Sequence, residues 1–136
     1  MSFVREIELA SLGDSRGELV VLEENKNIPF DIKRVYYIYG VDPKIPRGFH
    51  AHKETKQVAI CLSGQCTMLM DDGKNKVNVL MNSPKQGVLI DVMQWHEMHD
   101  FSEDCILMVL ASDLYNESDY IRDYNTFKNL MDEKHV

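Results

Sequence analysis

An all-β fold, an antiparallel barrel or double-sheet jelly roll followed by one C-terminal helix, is predicted by three features of the 136-residue sequence. Short apolar and β-branched runs recur at close spacing, turn-forming residues separate them, and helical periodicity is confined to the end. Gly13-Asp14-Ser15-Arg16-Gly17 is a turn leading into a short run at 19–22, and the polar stretch 23–27 closes at Pro29. Residues 33–39 carry the β-branched and aromatic side chains of a half-buried strand. After a loop over 40–48, strands are expected around His50 and over 57–62, the latter stopping at Ser63-Gly64. Residues 66–70 and 76–80 flank Asp71-Asp72-Gly73-Lys74, whose Asp-Gly pair suits a hairpin turn. Residues 88–92 and 105–111 complete the strands. Over about 118–132, Tyr120, Ile121, Tyr124, Phe127, Leu130 and Met131 recur near a helical period and predict one amphipathic helix.

The length suits one hydrophobic core rather than two, and without a repeat, linker or low-complexity tract the chain reads as a single domain over 1–136. The 15 basic and 22 acidic residues give a net charge of -7, which disfavours a nucleic-acid or anionic-membrane surface on Coulombic grounds. A small anionic ligand still fits if cations gather locally. Cys61, Cys66 and Cys105 are odd in number and lack a close CxxC pair, so neither a disulfide framework nor a structural zinc site is indicated. Cys61 and Cys105 lie in apolar runs, as packing residues do, and a reduced cytoplasm is the expected compartment. The N-terminus lacks the apolar core of a signal peptide, and no stretch approaches the ~20 apolar residues of a membrane span.

The run 46–53, Pro-Arg-Gly-Phe-His-Ala-His-Lys, is the most informative. Side chains at i and i+2 share a face of a strand, so His50 and His52 project together and Phe49 and Ala51 face the other way. This His-x-His resembles the cupin signature, in which two histidines, a following carboxylate and a later histidine bind a metal. Here Gln57 stands where the acid would be, and Met98 where the fourth ligand would be. A neutral amide is a poor ligand for a hard divalent cation, so no metal is expected and the histidines are left to act as acids and bases.

Taken together, six stretches resemble the dTDP-sugar 3,4-ketoisomerases of the cupin superfamily: 14–17, 23–30, 33–37, 47–53, 95–100, and 111–113 leading into 119–122. The resemblance implies a cupin-type jelly-roll barrel, usually dimeric, that acts without a cofactor on dTDP-4-keto-6-deoxyglucose. Such enzymes serve the biosynthesis of 3-amino-3,6-dideoxy sugars for surface polysaccharides such as O-antigen or S-layer glycans. It further implies that His50 and His52 are the active-site histidines, with the choice of base open between them and a lean towards His52. Arg34, Arg47, Lys53 and Gln57 are expected near the nucleotide or sugar. Strand alternation places Lys53 opposite His52, so its role requires a bend, a rim position or a neighbouring subunit.

Arg16, Tyr36 and His96 are candidates to orient the substrate or meet charge developing on its oxygens. Trp95 has two open readings, stacking on the thymine or walling the barrel. His99 and Asp100 read as a surface or supporting pair. The competing functions are a sugar-nucleotide 3,5-epimerase, a metal-dependent cupin enzyme and a non-catalytic sugar-nucleotide-binding cupin.

Overall fold

The chain is described from a computed structural model covering residues 2–134; Met1, His135 and Val136, the ends of the expected 1–136 domain, lie outside the described residues. The strands are β1 (Arg5–Glu8), β2 (Arg34–Ile38), β3 (Arg47–His52), β4 (Gln57–Ser63), β5 (Cys66–Asp71), β6 (Lys76–Met81), β7 (Gln86–Ile90), β8 (Trp95–His99), β9 (Ile106–Ala111) and β10 (Tyr120–Ile121). A 3-10 turn, Glu117–Asp119, precedes β10, and one helix, α1 (Tyr124–Lys134), follows it. The strands form two antiparallel sheets, β1-β7-β4-β9-β2 and β10-β3-β8-β5-β6. The expected jelly roll with a C-terminal helix is the observed fold.

The inner faces of both sheets share one core. Ala59, Cys61, Val88, Ile90, Leu107 and Val109 from the first sheet meet Met68, Met70, Val79, Met81 and Met98 from the second. β4 reads as a continuous apolar run because its other face is covered too: Val58 and Ile60 pack under Leu9, Ile28 and Phe30, supplied by the N-terminal loops. Outside the second sheet, Phe127 and Met131 of α1 cover Ala51, Trp95 and Ile121. Tyr124 adds a hydrogen bond, its hydroxyl donating to Asp71 Oδ2 at 2.7 Å.

The Asp-Gly hairpin stands where expected, joining β5 to β6, with Gly73 at φ +94°. Three expectations are corrected, and two strands are added. The helix begins at Tyr124 rather than near 118, because Tyr120 and Ile121 pair with His52 and Ala51 of β3. Residues 19–22 form no strand and make only the isolated bridge Ser11–Val20, because Val20 and Leu22 lie as a cover on the first sheet. The strand expected over 88–92 is Gln86–Ile90, set by pairing with β1 and β4. β1 and β8 were unforeseen; in β8, polar side chains on both faces hide the apolar alternation that signals a strand.

Candidate active site

The interior is apolar at one end and polar at the other, and β3 determines which residues share the polar end. A bulge between Gly48 and His50 shifts the register, leaving Arg47 opposite Met98 and His50 opposite His96 on β8. Gly48 takes φ +92° and Phe49 φ +61°. A Cβ at residue 48 would stand 3.0 Å from the His96 carbonyl oxygen and 3.2 Å from Met98 Cε, so glycine permits both the conformation and the close approach. The extra residue turns Arg47 onto the same side as His50, against simple alternation.

Three imidazoles then converge. The His50 ring lies 4.5 Å from His96 and 5.0 Å from His52, both edge to face, and His52 and His96 stack 6.0 Å apart. Tyr120, brought in by β10, sits 4.4 Å from His52 and 4.9 Å from His50. Nδ1 of His50 faces the Gly48 carbonyl at 3.1 Å and Nδ1 of His96 faces the Gln94 carbonyl at 3.3 Å. Carbonyl oxygens only accept, so each Nδ1 carries the proton and each Nε2 is left as a bare acceptor. Nδ1 of His52 instead meets Asp119 Oδ2 at 2.9 Å, and its Nε2 is buried without a partner.

Burial, then the charge that His52 would carry, pushes His50 down to about 4. Burial also lowers His52, although Asp119 opposes that shift, and it places His96 well below the usual imidazole range. All three rings are therefore neutral near pH 7 and able to accept a proton. On the opposite wall, Gln57 Nε2 donates to the Tyr36 hydroxyl at 3.0 Å, and burial raises the Tyr36 pKa, keeping it a neutral phenol. Gln57 Oε1 is buried without a partner.

A cleft of about 320 Å³ opens over this cluster. His50, Tyr36 and Tyr120 line it, and Arg34, Arg47 and Arg122 ring it. In a chain of net charge -7, three guanidiniums around one cleft gather positive charge locally, that of Arg122 being shared with Glu117.

The FdtA family model, described as WxcM-like, C-terminal, matches residues 3–132. A TDP-4-oxo-6-deoxy-alpha-D-glucose-3,4-oxoisomerase of Aneurinibacillus thermoaerophilus is 55% identical over 125 residues, covering 92% of this chain and 90% of that one. The crystal structure of a 3,4-ketoisomerase from Helicobacter canadensis superposes with a TM-score of 0.93 at 44% identity, over 97% of this chain and 99% of that one. QdtA, a sugar 3,4-ketoisomerase from Thermoanaerobacterium thermosaccharolyticum in complex with TDP, gives a TM-score of 0.96 at 40% identity over 100% of both chains. The chain belongs to the FdtA family.

In this FdtA-family chain, the residues picked from sequence divide into those that meet at the cleft and those that do not. His50, His52, His96, Tyr36 and Gln57 come together, with Arg34 and Arg47 at the rim. Arg16 does not join them: its side chain is 88% exposed in a turn and bonded to Asp14. Trp95 lies on the other face of β8, packed against Tyr124 and Phe127 with Nε1 donating to Glu97, because adjacent residues of a strand point apart. It does not line the cleft. Lys53 is exposed outside the cleft, beside Asp123 and Thr126, as alternation required. His99 pairs with Glu97 rather than Asp100.

Sequence reading missed Asp119, Tyr120 and Arg122 as site residues. Expecting a helix there concealed them; their signal was the polar Asn116-Glu117-Ser118-Asp119 run, where the Asn116 side chain caps the 3-10 turn.

The ligand atoms of His50, His52 and His96 lie within 4.8 Å of one another and suit a borderline cation such as zinc. The carboxylate that a hard cation prefers is missing, since Gln57 stands at that wall.

Proposed function

We propose that this TDP-sugar 3,4-ketoisomerase acts on TDP-4-keto-6-deoxy-D-glucose, with His50 and His52 carrying the proton transfers. The observation that supports this reading most directly is the neutral His50 ring lining an arginine-ringed cleft, with two further neutral imidazoles behind it. The diphosphate lies among Arg34, Arg47 and Arg122, and the sugar reaches inward to His50, Tyr36 and Tyr120.

The C4 carbonyl acidifies the C3 hydrogen, and a bare imidazole Nε2 takes it to give an enediolate. Returning that proton to C4, while the O3 hydroxyl proton passes to O4, gives the 3-keto isomer with all atoms balanced. His50 is the histidine that meets the sugar, since it lines the cleft whereas His52 is only 1% exposed. Tyr36, with its phenol neutral and held by Gln57, is placed to donate to the developing oxyanion. A divalent ion on the three histidines would occupy the Nε2 lone pairs, so the proton transfers proposed here belong to the imidazoles free of metal.

The histidines approach from one side of the ring. Removing the C3 hydrogen of a D-gluco sugar and delivering it to C4 from the same face leaves the new C4 hydroxyl axial, so the product is the galacto isomer. This product suits a following transamination to a 3-amino-3,6-dideoxy sugar. A cytoplasmic homodimer completes the proposal: β2 is a sheet edge that exposes Val35 and Tyr37, with Tyr39 exposed just beyond its end.

The test is NMR of the product formed from TDP-4-keto-6-deoxyglucose in deuterated water. A 3-keto sugar with an axial C4 hydroxyl and no label at C5 is expected. Label at C5 indicates epimerisation, and an equatorial C4 hydroxyl overturns the galacto assignment.

A further inference from the structure

The three imidazoles share a cavity but differ in what holds them. His50 and His96 give their Nδ1 protons to backbone carbonyls, whereas His52 gives its own to a carboxylate, Asp119, at 2.9 Å. That carboxylate is itself fixed: the buried Thr55 hydroxyl donates to Oδ2 at 2.6 Å and the Glu54 amide to Oδ1 at 2.6 Å. The Asn116-capped 3-10 turn presents Asp119, and the Lys53 amide bonds the Asp119 carbonyl at 2.9 Å, so the turn is tied to the end of β3. Asp119 is 8% exposed and Thr55 2% exposed. A buried carboxylate is stable only when its oxygens are met by donors, and here three converge on it.

Resting on the isomerase reading above, we propose that Asp119 is a positioning residue for this reaction. Clamped by Thr55 and the Glu54 amide, it fixes His52 in the Nδ1–H tautomer and balances the charge of the proton that the His50–His52 pair receives from the sugar. Without such a group the cluster is poorly suited to hold a proton. Around it, Arg34 and Arg122 bring guanidiniums, His96 is a buried imidazole, Tyr36 is held as a neutral phenol by burial, and the Tyr120 ring packs 4.4 Å from His52. Of the other charged groups nearby, Glu117 is exposed and paired with Arg122, and Glu54, Asp113 and Lys33 line the outer cleft that Asp119 borders. Donors from Thr55, the Glu54 amide and His52 meet both oxygens of Asp119, the environment of an ionised carboxylate.

The test uses the full chain with Asp119→Asn, Thr55→Val and Thr55→Ser. Asp119→Asn is expected to lower kcat by about 100-fold or more, since a misoriented or uncompensated imidazole is a poor base, while KM stays within about threefold. Its kcat/KM profile keeps an acid limb, but that limb moves to lower pH, because loss of a neighbouring anion makes an imidazole less basic. A purely structural role would reduce the amount of folded enzyme and leave the limb in place. Thr55→Val is expected to cost about tenfold in kcat, and Thr55→Ser to restore most of it.

One readout does not depend on turnover: imidazole 15N NMR of the unaltered protein should show His52 protonated at Nδ1, and Asp119→Asn should disturb that tautomer. A His52 protonated at Nε2 in the unaltered chain, or an Asp119→Asn variant with unchanged kcat and pH limb, overturns the proposal. An unaltered chain with the expected tautomer but no isomerisation refutes the isomerase reading and, with it, the catalytic part of the proposal, while the clamp on His52 stands.

Discussion

His50 and His96 face each other across the β3–β8 pairing with ring centroids 4.5 Å apart, and both turn Nδ1 to a backbone carbonyl two residues earlier in the chain. The shared orientation leaves two bare Nε2 atoms in the same cavity. Neither ring can readily carry a charge there, because burial and the neighbouring imidazoles disfavour the protonated forms.

Replacing His50 with Asn should remove the proposed base while keeping the cleft. Turnover is expected to fall by about 1,000-fold, within the range that a positioned acid–base group contributes, while TDP affinity by calorimetry changes little. Retention of full activity would transfer the role to His52.

Stability should fall as the solution is acidified. The folded-state values of His50, His52 and His96 all lie below the unfolded value of 6.5, that of His50 at about 4. Between those limits the unfolded chain binds more protons than the folded one, so the contribution is complete above pH 6.5 and lost as pH drops towards 4. Thermal unfolding followed from pH 7 to 4 should show a declining midpoint. Replacing His50 with Asn should flatten that decline.

Arg47 owes its place at the cleft to the β3 bulge. Arg47→Gln should raise the KM for the nucleotide sugar by about tenfold, with a smaller change in kcat, as the proposed contact of the guanidinium with a non-reacting phosphate requires. The affinity of the unaltered enzyme for TDP should weaken with added salt more steeply than that of the variant.

Gly48→Ala places a methyl group against the His96 carbonyl and Met98 and strains a φ of +92°. A loss of about 1–3 kcal/mol in denaturant unfolding is expected, with lowered activity as the bulge relaxes and His50 moves.

Tyr124→Phe should separate the helix from the chemistry. Losing its hydrogen bond to Asp71 costs about 1 kcal/mol of stability, while kcat and KM remain unchanged. A fall in kcat would mean that α1 influences the cleft.

The strand-rich pattern, the 71–74 hairpin and the shared face of His50 and His52 are legible in the residues alone. These follow from short-range rules, a period of two and the chemistry of Asp-Gly turns. So is Gln57 in place of an acid. Other features were decided only by tertiary structure. His96 reaches His50 through strand pairing between segments far apart in sequence, and Arg47 joins them because a bulge adds one residue to one strand. Asp119 reaches His52 because Tyr120 and Ile121 pair as an edge strand instead of entering the helix that their spacing suggested. Local periodicity specifies which way a side chain points along its own strand, but partner choice and register depend on how distant segments bury their apolar faces together.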